Sequence, residues 1–171
     1  AEQYNIPIYR VSHNSVEAKY LLKKHNINFG IISGARILSV DVVKLVRKGI
    51  LNFHPGLLPH IRGLDSILWS IEKDYPLGVT AHLVNEQIDS GFVLKTKKIN
   101  ITVDDNLASL YEKIYQLQLY LLPRILNLIF STNYSMSEVK KNGPYNSKMS
   151  YDKQIEISSK MENYIKKHSN L

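Results

Sequence analysis

Two hydrophobic rhythms alternate along the first third of the chain. Residues 6–11 (I-P-I-Y-R-V) switch between apolar and polar, the period of a strand, with Pro7 near its start. Val16, Ala18, Tyr20, Leu21 and Leu22 then fall on a helix behind Asn14 or Ser15, either of which can cap it. That helix ends near His25 and Asn26. Residues 29–33 (F-G-I-I-S) read as a short strand of the buried type, which runs into Gly34-Ala35-Arg36-Ile37-Leu38. Ser39 caps a second helix that turns Val42, Val43, Leu45 and Val46 inward and stops at Gly49, a residue suited to the position just past a helix end. A strand over residues 50–53 follows. Strand, helix, strand, helix, strand at these spacings makes parallel βαβ units, so the fold class is α/β, a mostly parallel sheet flanked by helices.

The rest of the chain keeps the same grammar. Leu64, Ile67, Leu68 and Ile71 share one face of a helix predicted over residues 64–73, and Trp69, off that stripe, is expected to pack on a neighbouring element. Residues 78–84 (G-V-T-A-H-L-V) form a strand with His82 on the face of Thr80 and Val84, where a lone histidine reads as structural. A polar loop containing Asp89 leads to a long alternating strand over residues 92–103, whose outward Lys95, Lys97 and Lys98 suit a sheet edge. Asp104 or Asp105 caps the longest helix, which reaches about Phe130 with a kink expected at Pro123. Residues 131–150 are polar, with Asn142-Gly143-Pro144 as a turn. A last amphipathic helix over about residues 151–167 carries Ile155, Met161 and Ile165. The chain thus divides into an α/β unit, 1–131, and a C-terminal helical extension, 132–171.

Composition narrows the function classes. An apolar fraction of 44% and a charged fraction of 22% over 171 residues describe an ordinary globular domain. No apolar run approaches the ~20 residues of a membrane span, and the absence of cysteine fits the cytoplasm and rules out thiolate metal sites. The net charge of +7 comes from lysines scattered in doublets at most, without interleaved aromatics, so it reads as solvated surface and no nucleic-acid partner is expected. His54, His60 and His82 show no helical pair and no clustered carboxylates, so no metal is expected.

The stretch with chemistry in it is residues 49–63, G-I-L-N-F-H-P-G-L-L-P-H-I-R-G. Asn52 and His54 lie two residues apart, on one side of an extended chain, just before prolines and glycines open a stiff loop. An amide donor and a titratable ring at a strand end suit a site; a hydrogen-bonded histidine ahead of a Pro-rich turn is the plainer reading of these residues. In parallel sheets ligands gather at the carboxyl ends of strands. The loops after residue 33 and after His54 both lie at such ends, and are therefore expected to face one crevice.

Three segments, in order, resemble the folate-dependent formyltransferase family, which includes the glycinamide ribonucleotide, methionyl-tRNA and nucleotide-sugar N-formyltransferases. N-F-H-P-G-L-L-P, 52–59, resembles the family's Asn-x-His-Pro-Ser-Leu-Leu-Pro loop. G-V-T-A-H-L-V-N-E-Q-I-D-S-G, 78–91, resembles its second signature, which ends in the catalytic Asp. A-R-I-L-S, 35–39, resembles the segment that holds the pteridine. The resemblance spans roughly residues 5–130 and implies a Rossmann-like formyltransferase fold. R-G-L-D-S-I-L-W-S-I, 62–71, is most similar to the sugar-modifying branch. Two departures stand out. Gly56 replaces a common Ser, and the family's opening strand–helix–strand unit has no counterpart before residue 6, so the resemblance implies a shortened member or a fragment of a longer product.

What the resemblance implies about function is specific. The chain would transfer the formyl group of 10-formyltetrahydrofolate, its co-substrate, to a primary amine through a tetrahedral intermediate. Asn52 would donate to the oxyanion, His54 would move the proton, and Asp89 would orient His54 or relay the amine's proton through water. Arg36, Ile37, Leu38, Val84, Asn85 and Ile88 would hold the folate. The small-molecule acceptor expected is a nucleotide-linked 4-amino-4,6-dideoxy sugar, with glycinamide ribonucleotide next. Methionyl-tRNA is disfavoured because those enzymes carry a C-terminal RNA-binding barrel, for which residues 132–171 are too short. Hydrolysis of formyl-folate and a non-catalytic folate-binding remnant remain as alternatives. The long apolar helix could bury against a second copy of the chain or against its own sheet.

Overall fold

A computed structural model describes residues 2–34, 37–85, 91–131, 137–138 and 144–169. In chain order its elements are α1 Val16–Lys24, β1 Gly30–Ile31, α2 Val40–Leu45, β2 Ile50–His54, β3 Arg62–Gly63, α3 Ser66–Glu72, β4 Gly78–Val84, β5 Gly91–Lys98, α4 Leu107–Phe130, β6 Ser137–Glu138, β7 Tyr145–Asn146 and α5 Tyr151–His168. A five-stranded sheet runs β1-β2-β4-β5-β6, and β3 pairs with β7 in a separate two-stranded ribbon. The α/β class therefore holds, with helices flanking a sheet.

The sheet itself is mixed where a mostly parallel one was expected. Among its described strands β1 and β2 pair in parallel, whereas β2–β4, β4–β5 and β5–β6 are antiparallel. Parallel neighbours need a crossover of a dozen or more residues, whereas β4 and β5 are joined too closely for one. Nor do residues 6–11 form a strand. Ile6 and Ile8 are 59% and 66% exposed, and alternation alone makes no ladder without a sheet edge to pair with.

The register of β2 against β4 decides where chemistry and core go. Leu51 faces Leu83 and Phe53 faces Ala81, while Asn52 faces His82 and His54 faces Thr80. Odd positions of both strands join an apolar core with Val79. Even positions put four polar side chains on the opposite face. The core is completed by α4, whose Leu110, Ile114, Leu117, Leu121 and Ile125 recur at steps of three and four, and by Ile67, Leu68 and Ile71 of α3. Among the described residues no helix is long and apolar enough to cross a membrane.

Several boundaries move for identifiable reasons. The cap of α4 is Asn106, not Asp104 or Asp105: Ser109 N–H donates to the Asn106 side chain, and Asn106 N–H donates to Ser109 Oγ. Asp105 is engaged elsewhere, accepting from Thr102 N–H, Ser109 Oγ and Lys113. Ser15 caps α1 as expected, whereas Ser39 precedes α2 without a side-chain bond to it. Strand β5 ends at Lys98, and one further bond in the same register, Ile99 N–H to the Leu77 carbonyl, follows it. Helix α4 continues through Pro123. In α5 the buried positions are Ile157, Tyr164 and Ile165, and Ile155 faces solvent. Trp69 packs on the C-terminal part as expected, donating its Nε1–H to the Ser147 carbonyl at 2.8 Å. The turn expected at 142–144 lies largely outside the described residues.

Candidate active site

The polar face of the β2–β4 pair floors a cleft of about 550 Å³. Asn52, His54 and His82 line it, as do Gly34, Ile37 and Leu38 from the loop after β1, Pro55 from the loop after β2, and Val84 and Asn85 from the end of β4. The two loops expected to share one crevice do share it. Of the nine residues expected to catalyse or hold a ligand, Asn52, His54, Ile37, Leu38, Val84 and Asn85 meet there; Arg36, Ile88 and Asp89 lie outside the described residues.

His54 is buried, and its surroundings define its tautomer. Nε2 lies 2.8 Å from the Ile61 carbonyl oxygen, which can only accept, so Nε2 carries hydrogen. Ser66 Oγ, which donates to the Gly63 carbonyl at 3.1 Å, stands 3.2 Å from the same nitrogen and offers a lone pair. In the neutral ring the lone pair then sits on Nδ1. Gly56 packs closely against this arrangement: a Cβ there would stand 2.9 Å from His54 Nε2 and 3.0 Å from the Ile61 oxygen, so a larger residue requires a small shift of the ring or the loop.

His82, read from the sequence as structural, also lines the cleft. It is buried with its ring near that of His54, centroids 6.5 Å apart, and its Nε2 lies 3.1 Å from Asn52 Nδ2. With Nε2 accepting, one amide hydrogen of Asn52 is fixed and the amide plane with it. The sequence signal was the equal spacing of polar residues on two adjacent strands, which becomes informative only once the register is known.

The loop after β2 is tied down from below. Thr80 Oγ1 donates to the Gly56 carbonyl at 2.7 Å and accepts from Leu58 N–H at 3.1 Å. Gln118 of α4 donates to the Phe53 carbonyl at 2.7 Å, between the two site residues of β2. Thr80 thus serves the loop and Gln118 the strand, and neither was singled out in the sequence.

A third side of the cleft comes from Gly63, Leu64, Asp65, Ser66, Tyr111 and Tyr145. Burial and the nearby Asp65 charge push the Tyr111 hydroxyl upward, so it stays neutral at ordinary pH. Gly63 has φ +94°, and a Cβ there would fall 2.1 Å from the Asn146 carbonyl oxygen, so the β3–β7 contact requires glycine.

Residues 1–126 match the family model described as formyl transferase. A methionyl-tRNA formyltransferase of Chlorobium limicola is 29% identical over 140 residues, 81% of this chain and 44% of its own. The chain therefore spans less than half the length of that relative. A solved sugar N-formyltransferase from Shewanella sp FDAARGOS_354 superposes with a TM-score of 0.70 at 29% identity, over 81% of this chain and 55% of that one. The formyltransferase PseJ from Anoxybacillus kamchatkensis, solved with UDP-4,6-dideoxy-4-formamido-L-AltNAc and tetrahydrofolate, shares the fold with a TM-score of 0.76. It is 23% identical, over 96% of this chain and 88% of PseJ.

Proposed function

Because the chain belongs to the formyl transferase family, we propose that it moves a formyl group from 10-formyltetrahydrofolate to the primary amine of a nucleotide-linked amino sugar. The observation that carries this reading is the cluster at the end of β2. Asn52 and His54 enter the cleft from one strand, and His82 and the Ile61 carbonyl hold them in place. The sugar acceptor is supported by the shared fold with PseJ, whose structure contains a formamido sugar nucleotide, and by the likeness to the Shewanella sugar N-formyltransferase.

The cleft residues suit the folate. Ile32, Ile37, Leu38 and Val84 offer apolar surface and Asn85 an amide, the mixture that accepts a flat heteroaromatic ring. Arg36 and Ile88 are proposed to complete that pocket. Bound there, 10-formyltetrahydrofolate supplies an electrophilic formyl carbon.

The side chains divide the remaining work. Asn52 gives one Nδ2 hydrogen to His82 and keeps a second for the oxygen on which negative charge grows, an interaction often worth about 3 kcal/mol. His54, with hydrogen at Nε2, takes the attacking amine's proton at Nδ1 and returns it to the departing nitrogen. A nitrogen–carbon bond forms to the acceptor, the bond to folate breaks, and the ring ends neutral. Asp89 is proposed to relay the amine's proton through water, or to orient His54 once Nδ1 has taken that proton.

Titration calorimetry with 5-formyltetrahydrofolate tests the folate half. Micromolar binding that disappears in Asp89→Asn is expected, and no binding would overturn the reading for this chain. His54→Ala should abolish turnover while folate binding persists, at a lower melting temperature because the buried Ile61 carbonyl loses its donor; an unchanged rate would remove His54 from its role. Turnover without any amine would instead make the chain a formyl-folate hydrolase, and folate binding without turnover a remnant.

A further inference from the structure

Part of the cleft wall is supplied by a segment beyond the 126 residues of the family match. Residues 144–149 form an arm that crosses back over the loop after β2, and its attachment is polar and specific. Tyr145 and Asn146 pair in parallel with Arg62 and Gly63. Asn146 Nδ2 donates to the Arg62 carbonyl at 2.7 Å, Leu64 N–H donates to the Asn146 carbonyl at 2.8 Å, and Lys73 Nζ donates to Asn146 Oδ1 at 2.5 Å. Trp69 Nε1–H binds the Ser147 carbonyl, and Met149 N–H donates to Asp65 Oδ2 at 2.8 Å.

This docking places three groups together at the cleft: Asp65, Tyr111 of α4 and Tyr145 of the arm. Asp65 immediately precedes α3 with φ 46°, yet its carboxylate does not cap that helix. It is turned instead to the arm and the cleft. Among the described lining residues it is the one carboxylate, and no Lys or Arg is among them. Such a wall attracts a cation and repels phosphate. Tyr111 and Tyr145 are 44% and 42% exposed, which leaves ring surface for the apolar face of a sugar.

We propose that Asp65, Tyr111 and Tyr145 form the acceptor subsite, that they seat the amine-bearing ring in its ammonium form, and that the C-terminal arm thereby sets acceptor choice. The subsite rests on the amine-transfer reading above and names its ligand chemistry: a protonated amine on a hydroxylated ring, with any phosphates held outside this wall. The ammonium gives one proton to bulk water before attack, His54 takes the next one as the bond forms, and Asp65 selects and places the acceptor without taking part in the bond exchange.

The test is calorimetry on the full chain with 5-formyltetrahydrofolate present. The probes are UDP-4-amino-4,6-dideoxy-L-AltNAc and its 4-hydroxy counterpart. Wild type should prefer the amine roughly tenfold or more, the scale of a charge-assisted hydrogen bond. Asp65→Asn keeps an oxygen for Met149 N–H and should erase that preference while folate affinity stays within about twofold. Tyr145→Ala should weaken both sugars severalfold, with recovery in Tyr145→Phe. An Asp65→Asn variant that retains the full preference overturns the subsite and leaves the transferase reading standing. A wild type that binds folate but neither sugar overturns both.

Discussion

The floor and the arm-side wall of this cleft are built in opposite ways. Asn52, His54, Thr80 and His82 sit on two neighbouring strands, and a single antiparallel register sets all four at once. Asp65, Tyr111 and Tyr145 come from a loop, a helix and an arm, and the wall holds only because contacts such as Asp65 to Met149 close over 84 residues of chain. One register gives the floor a fixed geometry that a local change cannot shift piecemeal. Separate attachments let the wall be altered one contact at a time. The chemistry proposed for the floor and the acceptor choice proposed for the wall would therefore vary independently.

Four substitutions or conditions probe this contrast. Asn52→Ala attacks the floor directly and should lower kcat by a hundred- to a thousandfold, about 3 to 4 kcal/mol, with KM for the acceptor little changed; steady-state kinetics with varied acceptor separates the two. Gly63→Ala attacks the wall. At φ +94° against the Asn146 backbone it should cost about 2 to 3 kcal/mol and detach the arm, seen as a lower denaturation midpoint and a raised acceptor KM with folate binding retained.

Acid probes the helix that carries Tyr111. Burial alone would raise the Asp105 carboxyl, but hydrogen bonds from Lys113, Thr102 N–H and Ser109 outweigh it and hold the group at about 2, below its ordinary 3.8. Because the folded value is the lower one, the stabilisation is complete above pH ~4 and is lost as pH falls towards 2, about 2 kcal/mol in all. Urea midpoints of wild type and Asp105→Asn should differ at pH 6 and converge near pH 2. The smallest effect is Trp69→Phe, which keeps the ring and removes the bond to Ser147. About 1 kcal/mol is expected, read as faster amide exchange in the arm.

The floor was legible in the sequence because its information is contiguous. Asn52 and His54 alternate within one short strand, and the 78–84 strand appears with its expected bounds. The wall was not, because β3 and β7 are two residues each and neither has a hydrophobic period to read. The contact of His82 with Asn52 is hidden in the sequence for a related reason: the two are 30 residues apart, and only the antiparallel register joins them. At residues 6–11 the period was present without a partner strand. At 104–106 the sequence points to Asp104 or Asp105 as the cap, but Asp105 is held by Thr102, Ser109 and Lys113 and the cap falls to Asn106.

The docking of the arm has a thermodynamic consequence for any ligand that needs Tyr145. Residues 62–65 and 145–149 fasten a long closed segment through a few polar contacts, so the closed form stands in equilibrium with states in which that fastening is released. A ligand resting on the floor alone ignores this equilibrium. One that needs the arm binds only the closed fraction, and its measured affinity is the intrinsic value scaled by that fraction. Occupancy by such a ligand must in turn hold the arm shut, which makes the C-terminal segment a reporter of acceptor binding at a distance from the bond being made.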